Sequence, residues 1–149
     1  MSDWIDVDVN AMNQEVRKDI QGVKVKISFS PYDVPRQYRS YRDTETNNFI
    51  VEFKYLLDEE TISEKPSADA PFEFEIGENS KRIYKIKIDT KAIKCDAVDV
   101  SFGTLAQNIV NTIETFKKSV PQKLQDRYKM PEDVILNHRN ELFSELVAA

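Results

Sequence analysis

Cysteine and histidine are almost missing from this chain, which has one of each among its 149 residues, Cys95 and His138. A single cysteine excludes a disulfide bond within the chain, and it excludes a structural zinc site built from several cysteines. Glycine is also scarce and occurs only at Gly22, Gly77 and Gly103. Because no two of these lie close together, the glycine-rich phosphate loops of nucleotide-binding proteins are excluded.

Long apolar segments are missing as well. No apolar run approaches the length that is needed to cross a bilayer, and the first 20 residues carry Asp3, Asp6 and Asp8 and no hydrophobic region typical of a signal peptide. We therefore expect a soluble, cytoplasmic protein with no part in a membrane. The formal net charge is −5, which argues against nucleic acid as a partner and suits either solubility or a basic partner.

The composition is that of a globular protein. Hydrophobic residues make up 40% of the chain and charged residues 32%, which is enough apolar material for a core beneath a charged surface. At this length we expect residues 1–149 to form a single domain.

The stretch from Phe72 to Asp89 gives the clearest structural signal. Two runs of alternating apolar and charged residues flank a group of turn residues, so the stretch predicts an antiparallel hairpin with one apolar face and one charged face. The register that sets opposite charges across the strands pairs Phe74 with Ile86, Glu75 with Lys85, and Glu73 with Lys87. This register leaves Asn79, Ser80 and Lys81 as a three-residue loop. The charged face is expected to be in contact with solvent.

Two further segments alternate in the same way, Gly22–Ser30 and Phe49–Leu57, and each predicts a strand. Residues 1–9 read as a short strand or an extended arm, and Ala97–Phe102, in an ambiguous segment 91–102, reads as a fifth strand. The four strongest strands supply fourteen apolar side chains to one face: Val23, Val25, Ile27, Phe29, Phe49, Val51, Phe53, Tyr55, Phe72, Phe74, Ile76, Tyr84, Ile86 and Ile88.

Helices are predicted at both ends of the chain. A short one is expected over Ala11–Ile20, because Met12, Val16 and Ile20 recur at a spacing of four and Gly22 follows. After residue 102, Thr104 and Gln107 have the spacing of a capping box. The apolar stripe of this second helix is Leu105, Ile109, Ile113 and Phe116. Pro121 interrupts the helical region, which continues through a short segment from Pro121 to Lys129. A last helix with Pro131 in its first turn buries Ile135, Leu142 and Leu146.

These elements predict an α+β fold. It is a two-layer sandwich in which a largely antiparallel sheet of four or five strands is covered on one face by one N-terminal helix and two to three C-terminal helices. Mobile loops are expected near residues 32–48 and 58–71, which are rich in polar residues and contain or adjoin prolines.

The candidate site lies between Pro35 and Arg42. Three arginines recur at a spacing of three, and two tyrosines lie between them: Arg36, Tyr38, Arg39, Tyr41 and Arg42. In a helical turn this spacing would place all three arginines on one side. Guanidinium groups and aromatic rings on one surface are suited to binding a protein, so the segment predicts a contact surface for a protein partner. Two alternatives stay open, namely contact with an anion or nucleic acid, and an exposed loop whose arginines pair with neighbouring acids.

Catalytic patterns are weak by comparison. His138 and Glu141 have a spacing that suits a metal ligand pair or a general base, but a packed or surface histidine explains them as well. Cys95 reads as a small buried residue. We therefore predict no catalytic, cofactor-binding or metal-binding residue. The expected function is a non-enzymatic protein-interaction or adaptor module. The alternatives are a small-ligand pocket between the sheet and the helices, and an enzyme that uses Cys95 or His138.

Overall fold

The computed structural model of the protein describes residues 4–7, 15–28, 30–66, 71–90 and 102–147. Eight strands lie in this part of the chain: β1 (Ile5–Asp6), β2 (Glu15–Ile20), β3 (Val23–Ser28), β4 (Gln37–Asp43), β5 (Asn48–Lys54), β6 (Thr61–Glu64), β7 (Phe72–Gly77) and β8 (Ile83–Asp89). The helices are α1 (Phe102–Lys117), α2 (Lys129–Asn137) and α3 (Arg139–Val147), with short 3-10 helices at Pro31–Asp33 and Gln122–Tyr128.

Six of the strands form one antiparallel sheet in the order β1-β4-β5-β8-β7-β6, and β2 and β3 form a separate two-stranded sheet. The predicted α+β class with a largely antiparallel sheet is confirmed, although the sheet has six strands rather than four or five. The α-helices follow the sheet in the chain and pack on one of its faces, so that the other face carries the polar side chains of the central strands.

The predicted register of the central hairpin is confirmed. Phe74 pairs with Ile86, and the Glu75–Lys85 and Glu73–Lys87 pairs follow on either side. The three-residue loop is wrong, because the register shifts between Glu75 and Ile76. Beyond this bulge the Gly77 N–H donates to the carbonyl of Arg82 at 2.8 Å, which leaves the four residues 78–81 as the loop.

The segment predicted as an N-terminal helix is a strand over Glu15–Ile20, and residues 11–14 lie outside the described part of the chain. Gln21 and Gly22 have φ angles of 53° and 82°, which fit the two-residue turns that join twisted antiparallel strands. Gly22 therefore closes a hairpin and does not end a helix. In β3, Val23 was predicted to face the core but is 61% exposed. Phe29 and the side chains of Val25 and Ile27 lie outside the described structure.

Two segments predicted as loops contain strands. Residues 32–48 include β4, which pairs along all seven of its residues with β5. Residues 58–71 include β6, which pairs with the first strand of the central hairpin. Neither segment shows a regular apolar alternation, because both strands lie towards the edges of the sheet and their side chains are largely polar. Hydrogen bonding to a neighbouring strand holds them in place.

The helical layer matches the predicted stripes but not all of the predicted boundaries. The stripe of α1 is buried at Leu105, Ile109, Ile113 and Phe116. This helix already begins at Phe102, so Thr104 lies inside it and the predicted capping box is wrong. Phe102 is therefore helical, and the rest of the proposed fifth strand, 97–101, lies outside the described residues. The predicted last helix is divided into α2 and α3 at His138.

The core lies between the sheet and the helices. Ten of the predicted inward side chains are buried, those of Phe49, Val51, Phe53, Tyr55, Phe72, Phe74, Ile76, Tyr84, Ile86 and Ile88. Aromatic pairs join the two layers. Phe74 packs edge-on against Phe116 with their ring centres 5.5 Å apart, and the ring centres of Phe49 and Phe143 are 6.3 Å apart. Burial of each large apolar side chain contributes roughly 1.5–3 kcal/mol before the loss of conformational entropy. None of the helices that the structure describes is both long enough and apolar enough to cross a membrane.

Candidate functional site

The predicted Arg/Tyr segment forms strand β4 and not a helical turn. Successive side chains of a strand point to opposite faces, so residues three apart, such as Arg39 and Arg42, lie on opposite sides of the sheet. The structure therefore does not bring the three arginines together. Arg36 precedes the strand, where its backbone N–H donates to the Lys54 carbonyl at 2.7 Å.

Tyr38 and Arg42 contact the helical layer. Tyr38 is 1% exposed, and its hydroxyl lies 3.3 Å from Nδ1 of His138. Burial, with a contribution from the charge of Glu141, raises the pKa of Tyr38 above its usual value of 10.0. Arg42 donates from Nη2 to the carbonyl of Leu146 in α3 at 2.8 Å. These two residues attach β4 to the end of the helical layer.

Arg39 and Tyr41 lie on the outer face and converge on Glu52 of β5. The β4–β5 register sets Arg39 directly opposite Glu52. The guanidinium group of Arg39 donates from Nε and Nη2 to Oε2 of Glu52 at 3.2 and 3.0 Å, and the hydroxyl of Tyr41 donates to Oε1. Lys85 of β8 adds its ammonium group at 3.7 Å from Oε1. Glu52 is 6% exposed, so these donors and charges compensate a buried carboxylate.

The environment of Tyr41 fixes its protonation. Burial, the hydrogen bond to Glu52 and the charge of that carboxylate raise the pKa of Tyr41 to about 12. Tyr41 therefore remains a hydrogen-bond donor across the physiological pH range, and it holds Glu52 in one orientation together with Arg39.

Trp4 completes the cluster from the neighbouring strand. Strand β1 pairs with β4 so that Ile5 lies opposite Tyr38, and the antiparallel register brings the preceding Trp4 next to Arg39. The Arg39 guanidinium carbon is 4.3 Å from the centre of the Trp4 ring and 5.4 Å from that of Tyr41. The ammonium group of Lys54 lies 5.7 Å from the same Trp4 ring. Cation–π contacts of this kind stabilise the arrangement by about 0.5–2 kcal/mol.

A shallow cleft of about 320 Å³ lies beside this cluster, and its lining includes Trp4, Glu52, Lys54, Asp58 and Lys85. Charges of both signs and an aromatic wall therefore surround the same space. Further across the sheet lies the predicted charged face of the central hairpin, where the carboxylate of Glu75 is 3.9 Å from the ammonium group of Lys85 and 3.3 Å from that of Lys87. These side chains are half-buried, so the outer face is an organised layer of ion pairs.

Sequence reasoning identified Arg39 and Tyr41 but missed three other members of the cluster, Trp4, Glu52 and Lys85. Trp4 precedes β1, Glu52 lies in β5 and Lys85 lies in β8, so no local spacing connects the three residues with β4. A signal was nevertheless present in Glu52, because it is a charged residue inside an otherwise apolar run at residues 49–53. A buried carboxylate needs a cationic partner on the adjacent strand, and β4 supplies it.

The described residues contain no group of three or more metal-ligating side chains that would hold a metal ion. His138 is the C-terminal cap residue of α2, and its ring centre lies 5.0 Å from that of Tyr38. These contacts give His138 a role in packing the helical layer against β4. Cys95 lies outside the described part of the chain. No protein-family model, no curated protein and no solved structure matches this chain at a significant level.

Proposed function

We propose that the protein is a non-enzymatic, adaptor-type interaction module, located in the cytoplasm, which binds another protein through the outer face of its sheet. The observation that supports this most directly is the arrangement of Arg39. Its guanidinium group contacts the rings of both Trp4 and Tyr41 and is bonded to Glu52, and Trp4 and Glu52 line a cleft of mixed charge. Trp, Tyr and Arg are the residue types that contribute most to binding energy in protein interfaces.

The cluster is ordered before any partner arrives. Side chains that must be immobilised on binding each cost about 0.5–1.5 kcal/mol, and anchoring to Glu52 removes much of this cost for Arg39 and Tyr41. The partner that fits is a polar protein surface with charges of both signs, because Lys54 and Asp58 lie in the same cleft as Trp4.

The proposed contact set is narrower than the sequence suggested. Tyr38 is buried and Arg42 is bonded to α3, so we assign both to the support of β4. Arg39 and Tyr41 remain as contacts, with Trp4 added to them. An anion or nucleic-acid site made by all three arginines is disfavoured, because Arg36, Arg39 and Arg42 do not share a face.

The alternative of a ligand pocket between sheet and helices finds no support among the described residues. Side chains from both layers fill this space, and the contact between Phe74 and Phe116 closes its centre. The outer cleft next to Trp4 is the better candidate for any small ligand.

The test is affinity capture from a lysate of the source organism, with quantitative mass spectrometry of the bound proteins. Trp4→Ala removes the half-exposed ring and none of the hydrogen-bond donors to Glu52, which are Arg39 and Tyr41. Tyr32→Ala is the matched control, because Tyr32 is an exposed aromatic residue, 45% accessible, that does not line the cleft. Circular dichroism spectra and melting curves check that both variants fold.

We expect one stoichiometric protein partner that is retained by Tyr32→Ala and reduced at least about tenfold by Trp4→Ala, since central aromatic residues of interfaces are worth 2 kcal/mol or more. A partner bound equally by Trp4→Ala would remove this face from the proposal. Capture of no protein by the wild type would contradict the proposal itself, and native mass spectrometry would then test for a small molecule.

A further inference from the structure

Strand β6 is the edge of the main sheet. It pairs with β7 over four residues, and in the described part of the chain no strand pairs with its other side. All four of its side chains are exposed. An edge of this kind presents unpaired backbone N–H and C=O groups, which are a template for the addition of another strand.

Apolar side chains are exposed next to this edge. Leu56 and Leu57, which precede β6, are 50% and 59% exposed, and Ile62 within it is 37% exposed. Ile62 pairs with Ile76 of the core, so it extends the apolar face of the sheet to its margin. Between residues 56 and 64 the chain also carries four acidic residues and no basic one. The edge therefore combines an apolar patch with a negative charge, and the charge disfavours indiscriminate pairing.

The chain contains an element with the complementary properties. The hairpin of β2 and β3 is not hydrogen-bonded to the main sheet among the described residues. Residues 15–28 carry four basic and two acidic residues, for a net charge of +2. The sequence of β3, Val-Lys-Val-Lys-Ile-Ser, alternates apolar and basic residues. Isolated two-stranded hairpins are only marginally stable in water, so this one gains stability from joining a larger sheet.

We propose that the β2–β3 hairpin of one copy of this chain adds to the β6 edge of a second copy, and that the exchange is reciprocal. The result is a two-fold symmetric dimer in which each main sheet is extended by the partner's hairpin. Opposite charges select the pairing, because a hairpin of charge +2 meets an edge whose residues 56–64 carry only acidic charges. This association uses the backbone edge of β6 and not the rings of the Trp4–Arg39 cluster, although Asp58 and Thr61 also line the cleft beside Trp4. The two proposals are tested by different variants and different readouts, so either can fail without the other.

Charge reversal tests this proposal. The hairpin variant carries Lys24→Glu and Lys26→Glu, which changes the charge of residues 15–28 from +2 to −2. The edge variant carries Asp58→Lys, Glu60→Lys and Glu64→Lys, which changes the charge of residues 56–64 from −4 to +2. Each variant alone sets like charges against each other in both halves of the dimer. When the two are mixed, each hairpin meets an edge of opposite charge, so a heterodimer regains both attractions. Sedimentation velocity measures association over concentrations of about 1–100 μM.

We expect the wild type to dimerise, each variant to dimerise at least about tenfold more weakly, and the equimolar mixture to form a 1:1 heterodimer. The control variant, Lys118→Glu with Lys123→Glu, makes the same change in net charge as the hairpin variant but at exposed positions of the helical layer, and it should dimerise like the wild type. A monomeric wild type at 100 μM would overturn the proposal. So would a dimer that is indifferent to the reversals, or a mixture of the two variants that stays monomeric.

Discussion

Glu132 is a buried acid whose replacement by glutamine should stabilise the protein. It lies in the first turn of α2, is 5% exposed, and has one carboxyl oxygen, Oε1, without a hydrogen-bond partner among the described residues. Burial has the largest effect on the pKa of Glu132, followed by the hydrogen bond with Glu114 and by the negative charge of Glu114. Together they raise the pKa of Glu132 to about 8. Burial also opposes ionisation of Glu114, but hydrogen bonds with Lys117 and Glu132 outweigh it and lower the pKa of Glu114.

The direction of the pH dependence follows from these shifts. Glu132 is protonated in the folded protein up to about pH 8, whereas in the unfolded chain it ionises near its ordinary pKa of 4.5. Between these two values the folded state binds one more proton, so the free energy of unfolding decreases as the pH rises. Each pH unit in this window costs about 1.4 kcal/mol, which amounts to roughly 3 kcal/mol at pH 7.

Glutamine removes this cost because it does not titrate, and its amide can still donate a hydrogen bond to Glu114. We expect Glu132→Gln to raise the free energy of unfolding by about 2–3 kcal/mol at pH 7, and by less than about 1 kcal/mol at pH 5. For a chain of this size the gain at pH 7 corresponds to roughly 5–10 °C in melting temperature.

Urea denaturation, followed by circular dichroism at several pH values between 5 and 9, measures the difference. Glu78→Gln is the matched control, because Glu78 is an exposed loop residue and its replacement should change the stability by less than about 0.5 kcal/mol. The reasoning would be refuted if Glu132→Gln were no more stable than the wild type at pH 8, or if the two curves ran parallel from pH 5 to pH 8.

Three further substitutions test the fold, with urea denaturation as the measurement. Gly77→Ala should lower the free energy of unfolding by about 1–3 kcal/mol, because a Cβ at residue 77 would clash with the Glu59 carboxylate that accepts hydrogen bonds from Ser80 in the central loop. An unchanged stability would mean that Glu59 can move aside without loss of these hydrogen bonds. Lys81→Gly should stabilise by up to about 1 kcal/mol, because Lys81 has a φ of 63°, and a loss would contradict that strain. Phe74→Ala should cost about 3–5 kcal/mol through loss of its contact with Phe116, and a cost below 1 kcal/mol would argue against a core at this point.

The central hairpin could be predicted from the sequence because two independent signals agree there. The apolar residues fix which face is buried, and the charged residues fix the register, since only one alignment sets Glu75 against Lys85 and Glu73 against Lys87. The bulge at Tyr84 could not be predicted in this way. Both Ile83 and Tyr84 are buried, and the packing of Tyr84 against Tyr55, with ring centres 5.2 Å apart, is a contact between strands that are distant in sequence.

Strand β4 was missed because its buried positions do not form an apolar stripe. Tyr38 and Ser40 are the buried residues of this strand, and a tyrosine followed by a serine does not form an apolar stripe. The burial of Tyr38 depends on its contact with His138, 100 residues away, and Arg42 is held by a carbonyl of α3. The N-terminal hairpin was predicted as a helix for a different reason. A spacing of four, as between Val16 and Ile20, places two residues on one side of a helix and also on one face of a strand. The turn at Gly22 shows that the segment is a strand.

The ion pair between Arg39 and Glu52 links the candidate site to the stability of the fold, and this determines which variants can report on binding. Removal of Arg39 would leave a carboxylate that is 6% exposed without its main partner, and loss of one member of a buried pair costs roughly 3–5 kcal/mol. An arginine variant that fails to bind would therefore not separate a lost contact from a damaged sheet. Among the described residues, Trp4 contacts the cluster through the face of its ring. Its replacement removes contact area while Glu52 keeps its hydrogen bonds, so Trp4 is the position at which a loss of binding can be assigned to the interface.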